Sequence, residues 1–185
     1  EVTVVCDKFS NPSWIASDLI GQAEHDELAQ CILISKDKDF INKVQSSIEY
    51  QLKELPRASI AKKSLLSYGI FIHMTSDKKI IDTINKISPE HLELNIKNYK
   101  NIVNKVSAGS ISLGKYAVTA MTDYIVGVNH ILPTNSSAKY ASGLSVSEFI
   151  KRISVVTLSK KGIEKLGPSA ICLSDVEGLY AHSKS

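Results

Sequence analysis

Short apolar runs alternate with amphipathic stretches along most of this chain, and this alternation narrows its possible folds more than any other feature. The apolar runs have the length and composition of buried strands and cover residues 2–6, 29–35, 70–74, 92–94 and 110–113. Between them, apolar side chains recur every three to four positions, as over residues 40–52, which predicts helices. Strands that alternate with helices usually pair in parallel and are covered on both faces. The sequence therefore predicts an α/β fold with a mainly parallel sheet.

Helix boundaries are marked by turn and capping residues. Asn11 and Pro12 precede an amphipathic stretch over residues 14–27, and Ser76 precedes a second one that ends near Ile87. Residues 60–66 and 99–106 also favour helices. The predicted order is therefore strand and helix in regular succession up to about residue 113.

The composition changes after Gly127. Residues 129–143 form a polar stretch with little periodicity, which is typical of a loop that carries function. Beyond it, residues 147–152, 160–166 and 170–181 favour helices, and residues 153–158 resemble a strand. We therefore predict two domains, an α/β domain over residues 1–143 and a small, mostly helical tail over residues 144–185.

Charge and hydropathy exclude two classes of partner. Lys and Arg number 22 against 19 Asp and Glu, and no dense basic block is present, so we expect no nucleic-acid partner. No apolar run reaches the roughly 18–20 residues that span a bilayer, and the first residues lack a basic signal region. We therefore expect a cytoplasmic protein without a membrane partner. Because the chain opens directly on a strand pattern, we also expect it to be a fragment of a larger protein.

The cysteines predict no special chemistry. Cys6, Cys31 and Cys172 form no CxxC pair, and the first two lie in apolar runs. A small buried thiol is the usual outcome in such runs. We interpret all three as structural.

Four of the five histidines lie near carboxylate or amide side chains at short spacing. The four groups are Gln22 with His25, Glu90 with His91, Asp123 with His130, and Glu177 with His182. These side chains are ligands for divalent metals and the usual proton-transfer groups of enzymes. A metalloenzyme site is therefore the first hypothesis.

Each group taken alone has a simpler interpretation. Gln22 and His25 could be a solvated pair on one helix face, and Asp123 could cap a helix that begins at Tyr124. Glu90 and His91, in the turn before residues 92–94, could be ordinary polarity at a helix end. His73 has no polar companion, and we interpret it as a core or sheet histidine.

The four polar groups can be interpreted together, because the chain resembles the histidinol dehydrogenase family. Six ordered segments carry the resemblance, and they cover residues 17–30, 87–94, 108–116, 123–134, 142–152 and 177–182. Together they span almost the whole chain and are more specific than any one of them. The resemblance implies a Rossmann-like sheet that is incomplete, and a zinc enzyme that oxidises L-histidinol to L-histidine through an aldehyde with two NAD.

The resemblance also implies roles for individual residues. Gln22, His25, Asp123 and His182 fall where the family has its zinc ligands, and Glu90 and His91 fall where it has proton-transfer residues. His91 would be the general base on the alcohol, and Glu90 would activate water. His130 and Glu177 would hold the substrate. The implied substrate-binding set combines zinc ligands and these residues: Gln22, His25, His91, Asp123, His130, Glu177 and His182.

The family pattern further implies a homodimer in which the tail crosses to the partner. The partner copies of Glu177 and His182 would then complete each site, and within one chain both would lie far from Gln22, His25 and Asp123. The part of the family that carries most NAD contacts, upstream of residue 1, has no counterpart here, and no GxGxxG motif replaces it. Cofactor-binding residues therefore stay unassigned, and a separate polypeptide could supply the missing half. The alternatives are a non-catalytic remnant and a module that binds zinc or an imidazole ligand without oxidising it.

Overall fold

Five parallel strands form one sheet in the computed structural model, which describes residues 1–127 and 129–185. They are β1 (Val2–Cys6), β2 (Cys31–Ser35), β3 (Ile70–His73), β4 (His91–Asn95) and β5 (Ser110–Leu113). Their order in the sheet is β3-β2-β1-β4-β5, and every neighbouring pair is parallel. The predicted α/β class with a parallel sheet is thus confirmed. Val128, within the matched segment 123–134, lies outside the described residues.

The order of strands reverses beside β1. Val2 at the start of β1 pairs with Cys31 on one side and with His91 on the other. The chain builds outward from β1 to β3 and then crosses back to place β4 on the free side of β1. This is the arrangement of a doubly wound sheet.

The helices of this unit lie between the strands, except for one that follows β5. They are α1 (Pro12–Ala23), α2 (Lys38–Gln51), α3 (Ala58–Tyr68), α4 (Asp77–Ile87) and the short α5 (Thr119–Tyr124). The predicted caps are confirmed, because Asn11 Oδ1 accepts a hydrogen bond from Ser13 N at 2.9 Å and Ser76 Oγ accepts one from Lys79 N.

Two helix predictions need correction. α1 ends at Ala23 instead of near residue 27, because Asp26 accepts a side-chain hydrogen bond from Leu28 N at 2.8 Å and forms a local turn. Residues 99–106 form two short 3₁₀ turns, Tyr99–Asn101 and Val103–Lys105, in place of one helix.

Both faces of the sheet are covered by apolar side chains, because neighbouring residues of a strand point to opposite faces. On one face, Val2, Val4 and Leu33 pack with the helices α1, α2 and α3. On the other face, Val5, Ile34 and Leu94 pack with α4 and with the 3₁₀ turns. β3 is one of the two edge strands of this sheet, and His73 at its end is exposed. His73 is therefore a sheet histidine that lies outside the core.

The chain divides into two compact units, residues 1–146 and 147–185. The second unit contains α6 (Lys160–Val176), which Ser159 caps, and α7 (Tyr180–Lys184). The predicted helix over residues 147–152 is a 3₁₀ turn at Val146–Phe149, and the predicted strand over residues 153–158 does not form. Within the described residues, no helix combines the length and apolar character needed to cross a membrane.

Candidate functional site

The candidate site begins at the amino edge of the sheet. His91 is the first residue of β4 and Glu90 directly precedes it, so His91 belongs to the strand and not to the predicted turn. Gly109 N and Ser110 N donate to the carbonyls of Pro89 and Glu90, at 2.9 and 2.8 Å. These two bonds fix the Glu90 backbone against the start of β5. Doubly wound sheets usually bind ligands at the opposite, carboxyl edge of their strands.

Asp123 lies at the centre of a group of polar side chains. Its Oδ1 is 3.8 Å from His91 Nε2 and 3.5 Å from His130 Nδ1. Glu90 Oε1 is 3.9 Å from the same His91 nitrogen. The structure therefore brings together four of the residues that the sequence singled out, from β4, α5 and the following loop. All three distances exceed a hydrogen bond, so these groups are neighbours that leave room for a shared ligand.

His91 is neutral near neutral pH. Burial lowers the pKa of its imidazole, although the nearby Asp123 and Glu90 carboxylates act in the opposite direction. The residue is only 6% exposed, so the loss of hydration decides the sign. A neutral imidazole can accept a proton, whereas an imidazolium cannot, so His91 suits the part of a general base.

Gln22 and His25 lie at the end of α1. Gln22 is in the last turn, while His25 is exposed and two residues beyond the helix, with its N–H 3.3 Å from the Gln22 carbonyl. The two residues therefore do not share a regular helix face, which corrects the prediction. Because α1 returns the chain from the carboxyl end of β1 to the start of β2, its end lies at the same sheet edge as His91.

Glu177 and His182 belong to the second unit. Glu177 follows the last residue of α6, and Gly178 adopts a left-handed conformation with φ of 74°. His182 lies in α7. The predicted helix over residues 170–181 is thus interrupted, because Gly178 ends α6 in the conformation typical of a helix stop. Their separation from Gln22, His25 and Asp123 stays a prediction.

Among the described residues, no three His, Cys, Asp or Glu side chains are arranged as a metal site. The donor types still fit zinc, since Gln22 offers an amide oxygen, His25 an imidazole nitrogen and Asp123 a carboxylate oxygen. Asp123 Oδ1 faces two imidazoles without bonding closely to either. The assignment of the ligand set is therefore a proposal.

Two carboxyl groups near this site escaped the sequence analysis. Glu93 is 2% exposed in the middle of β4, and Asp18 lies on α1, one turn before Gln22. The sequence feature that could have identified Glu93 is its position between Leu92 and Leu94, in an otherwise apolar run. A buried carboxyl of this kind requires partners and often marks a site.

Gly109 keeps the Glu90 backbone close to β5. A Cβ at this position would lie 2.7 Å from the Glu90 carbonyl oxygen and 3.1 Å from Pro133 Cδ. We expect Gly109→Ala to lower the free energy of unfolding by about 1–3 kcal/mol, as overpacking does. Urea unfolding of the chain measures this effect.

Gly21→Ala is the matched control, because Gly21 lies inside α1 and a Cβ there meets nothing within 4 Å. Alanine favours a helix interior over glycine, so this variant should be neutral or slightly stabilised. Equal stability of the Gly109 and Gly21 variants would contradict the close approach.

Comparison with known proteins decides the family. The family model described as histidinol dehydrogenase matches residues 1–185. The chain belongs to the histidinol dehydrogenase family. It is 73% identical to the histidinol dehydrogenase of Pelagibacter ubique (strain HTCC1062) over 186 aligned positions, which cover all of this chain and 44% of the relative. The family is one of oxidoreductases, in keeping with the sequence prediction.

Other histidinol dehydrogenases give the same result. The enzyme of Listeria monocytogenes (strain EGD-e) is 42% identical over the whole chain and 44% of its own length. A crystal structure of histidinol dehydrogenase from Elizabethkingia anophelis superposes with a TM-score of 0.91 at 39% identity, covering 99% of this chain and 42% of that one. The chain thus spans less than half the length of these histidinol dehydrogenases.

Proposed function

We propose that this chain carries the zinc-binding and proton-transfer part of a cytoplasmic enzyme that oxidises L-histidinol to L-histidine with NAD. Membership of the histidinol dehydrogenase family supports the reaction. The observation that carries the proposal is the placement of the buried His91, whose pKa is lowered by burial, within 4 Å of both Asp123 and Glu90. These three side chains combine a proton acceptor with carboxylates that can bind a cation or position water.

Gln22, His25, Asp123 and His182 are the proposed zinc ligands. Their amide, imidazole and carboxylate donors suit a catalytic zinc site that keeps an open position for substrate. When bound, zinc supplies a Lewis acid that holds the substrate's alcohol and imidazole, and NAD supplies the hydride acceptor. The remaining residues bind the substrate and move its protons.

His91 is the proposed general base. Because its imidazole is neutral, it can take the proton of the substrate hydroxyl in each oxidation step. Asp123, at 3.8 Å, stabilises the imidazolium that results. Glu90, whose side chain is 20% exposed, is placed to activate water for attack on the aldehyde carbon. His130 and Glu177 are the proposed substrate-holding residues.

We also propose a homodimer in which the partner copies of Glu177 and His182 complete each site. Large apolar side chains of residues 147–185 support an interface, since Val155, Leu173 and Val176 are each more than 60% exposed. Exposed apolar side chains of this size favour association with a partner. We propose that a second copy of this chain is that partner. A separate polypeptide could additionally supply the family's remaining length.

The zinc site is tested by calorimetric titration of the chain with zinc and then with histidinol. Asp123→Ala should weaken zinc binding at least about 10- to 100-fold. The loss of a residue that only supports a metal ligand already has an effect of this size. The control is Asp82→Ala on α4, an exposed carboxylate on the other face of the sheet, which should keep the affinity of the unaltered chain. Equal zinc affinity of the two variants would contradict the assignment of Asp123.

The shared dimer site is tested by mixing. An Asp123→Ala chain and a His182→Ala chain should each lose zinc, and their equimolar mixture should regain about a quarter of the sites, because half of the dimers are mixed and each holds one intact site. No recovery on mixing would contradict the exchange of His182. An assay of NADH formation run beside it separates the alternatives, since histidinol binding without NADH would leave a binding module or a non-catalytic remnant.

A further inference from the structure

One face of β4 is polar although the strand is buried on both sides. His91, Glu93 and Asn95 point to the face covered by α1, while Leu92 and Leu94 point to the apolar face beneath α4. Buried polar groups need hydrogen-bond partners. Asn95 has one in Ser10, whose hydroxyl donates to Asn95 Oδ1 at 3.1 Å. The partners of Glu93 link it to two helices.

Glu93 bonds first to the start of α5. Its Oε1 accepts hydrogen bonds from the backbone N–H of Thr119 at 2.8 Å and from the Thr119 hydroxyl at 2.7 Å. The carboxyl thus caps the first turn of the helix that carries Asp123. It is a long-range cap, supplied by a strand 26 residues earlier in the chain.

Glu93 bonds next to Asp18 on α1. Asp18 Oδ2 and Glu93 Oε2 are both buried and accept no hydrogen bond from any donor of the described residues. The two neighbouring carboxyls can satisfy each other through a hydrogen bond, which requires a proton on one of them. One shared proton satisfies both. Burial raises the pKa of both groups, that of Asp18 to about 8, with the Glu93 charge adding to the shift.

Asp18, Glu93 and Thr119 form a bridge between α1, β4 and α5. Each of them lies two or four positions along the chain from a residue of the candidate site. Asp18 and Gln22 are four apart on α1, Thr119 and Asp123 are four apart on α5, and Glu93 is two residues after His91 on β4. Four helical residues and two strand residues both advance by about 6–7 Å. The bridge therefore holds α1, α5 and β4 together about 6–7 Å along each element from the residues of the candidate site.

We propose that Asp18, Glu93 and Thr119 are positioning residues that lock α1 and α5 onto β4, with one proton shared by the two carboxyls, so that Gln22, His91 and Asp123 converge. The inference rests on the proposed zinc site and adds residues that touch neither metal nor substrate. The shared proton leaves only one negative charge on the two buried carboxyl groups. Its loss would leave two carboxylates that repel each other.

Zinc affinity of the whole chain, measured by calorimetry at pH 7, tests the bridge. Asp18→Leu removes the proton donor and leaves Glu93 without its partner, so we expect zinc binding to weaken about 10-fold or more. Asp18→Asn keeps a donor to Glu93 and should bind within about twofold of the unaltered chain. Rescue by the amide, and not by the apolar side chain, identifies the hydrogen bond as the cause.

A second, milder variant keeps the test decisive if Asp18→Leu does not fold. Thr119→Val removes the hydroxyl donor to Glu93 while the backbone bond remains, and should weaken zinc binding several-fold. Its control is Thr83→Val on α4, whose hydroxyl contacts Met74 on the other face of the sheet and whose loss should not alter zinc binding. Unchanged zinc affinity in both Thr119→Val and a folded Asp18→Leu would overturn the bridge.

The pH dependence of stability reports the shared proton directly. A folded-state pKa of about 8 against 3.8 means that the Asp18 contribution to stability is complete below about pH 4 and is lost as the pH rises through 8. The melting temperature of the unaltered chain should therefore fall relative to that of Asp18→Asn between pH 7 and 9. Parallel curves for the two would overturn the shared proton.

Two titratable groups near Asp18 and Glu93 keep their charge over the pH range of this test. Burial raises the pKa of Cys6, on the same face of β1, to about 12, and lowers that of His91, so neither changes charge between pH 7 and 9. Failure of the unaltered chain to bind zinc would refute the proposed function itself, whereas zinc binding that ignores the bridge variants refutes only this inference.

Discussion

Replacing His91 with glutamine should reduce NADH formation from histidinol about 10²- to 10⁴-fold in a protein that carries this chain, the usual contribution of a general base. Glutamine fills a similar volume but cannot accept a proton. Because burial holds the pKa of His91 below 6.5, the unaltered protein should keep its base form at neutral pH and lose activity only as the pH falls below that value. The glutamine variant should lack this acidic limb in its rate profile.

His73→Gln provides the matched control. His73 ends β3 and is exposed, with Nε2 3.1 Å from the Lys36 carbonyl oxygen, on an edge strand away from β4. Its replacement should leave the rate within about twofold, in line with the small effects of surface substitutions. A His91→Gln protein that retained the rate and the pH profile of the unaltered one would rule out His91 as the base.

Replacing Leu33 with alanine should lower the free energy of unfolding by about 2–5 kcal/mol. Leu33 is fully buried on β2 and packs with α1 and α2 in the larger of the two core clusters. The loss combines reduced apolar burial with the cavity that a truncated side chain leaves in a closely packed interior. Urea unfolding measures it as a lower midpoint at an unchanged slope.

Leu66→Ala on α3 tests whether burial is the cause. This leucine is 77% exposed, so the same chemical change should alter stability by no more than about 0.5 kcal/mol. Comparable losses at Leu33 and Leu66 would mean that the two side chains are equally buried in solution, contrary to the structure.

Local patterns predicted the strands well, because the apolar runs of β1, β2 and β4 are buried on both faces and such runs are typical of any parallel sheet. All five runs became strands, and no boundary is displaced by more than two residues. The displacement at β4 matters most, because it moves His91 from a turn into the sheet. Predictions were weaker where a side chain competes with the backbone, as Asp26 does at the end of α1.

The tail was predicted less accurately. Val155 and Val156 favour a strand by composition, yet residues 153–158 form no strand in the part of the chain that the structure describes. Pro168 lies inside α6, in the gap that the sequence reading left between two helices. Strands need partners that only the rest of the fold supplies, whereas helices bond within themselves.

By itself, the sequence determined the α/β class, the family, and the polar residues with the chemistry to form a site, since these depend on local periodicity and on ordered motifs. Only the tertiary structure decided that Glu90, His91, Asp123 and His130 meet at the amino edge of the sheet, and that Asp18 and Glu93 bond beneath them. The physical reason is that parallel strands are joined through helices. Residues that come into contact are therefore separated by tens of positions, and no short pattern records which pairs will meet.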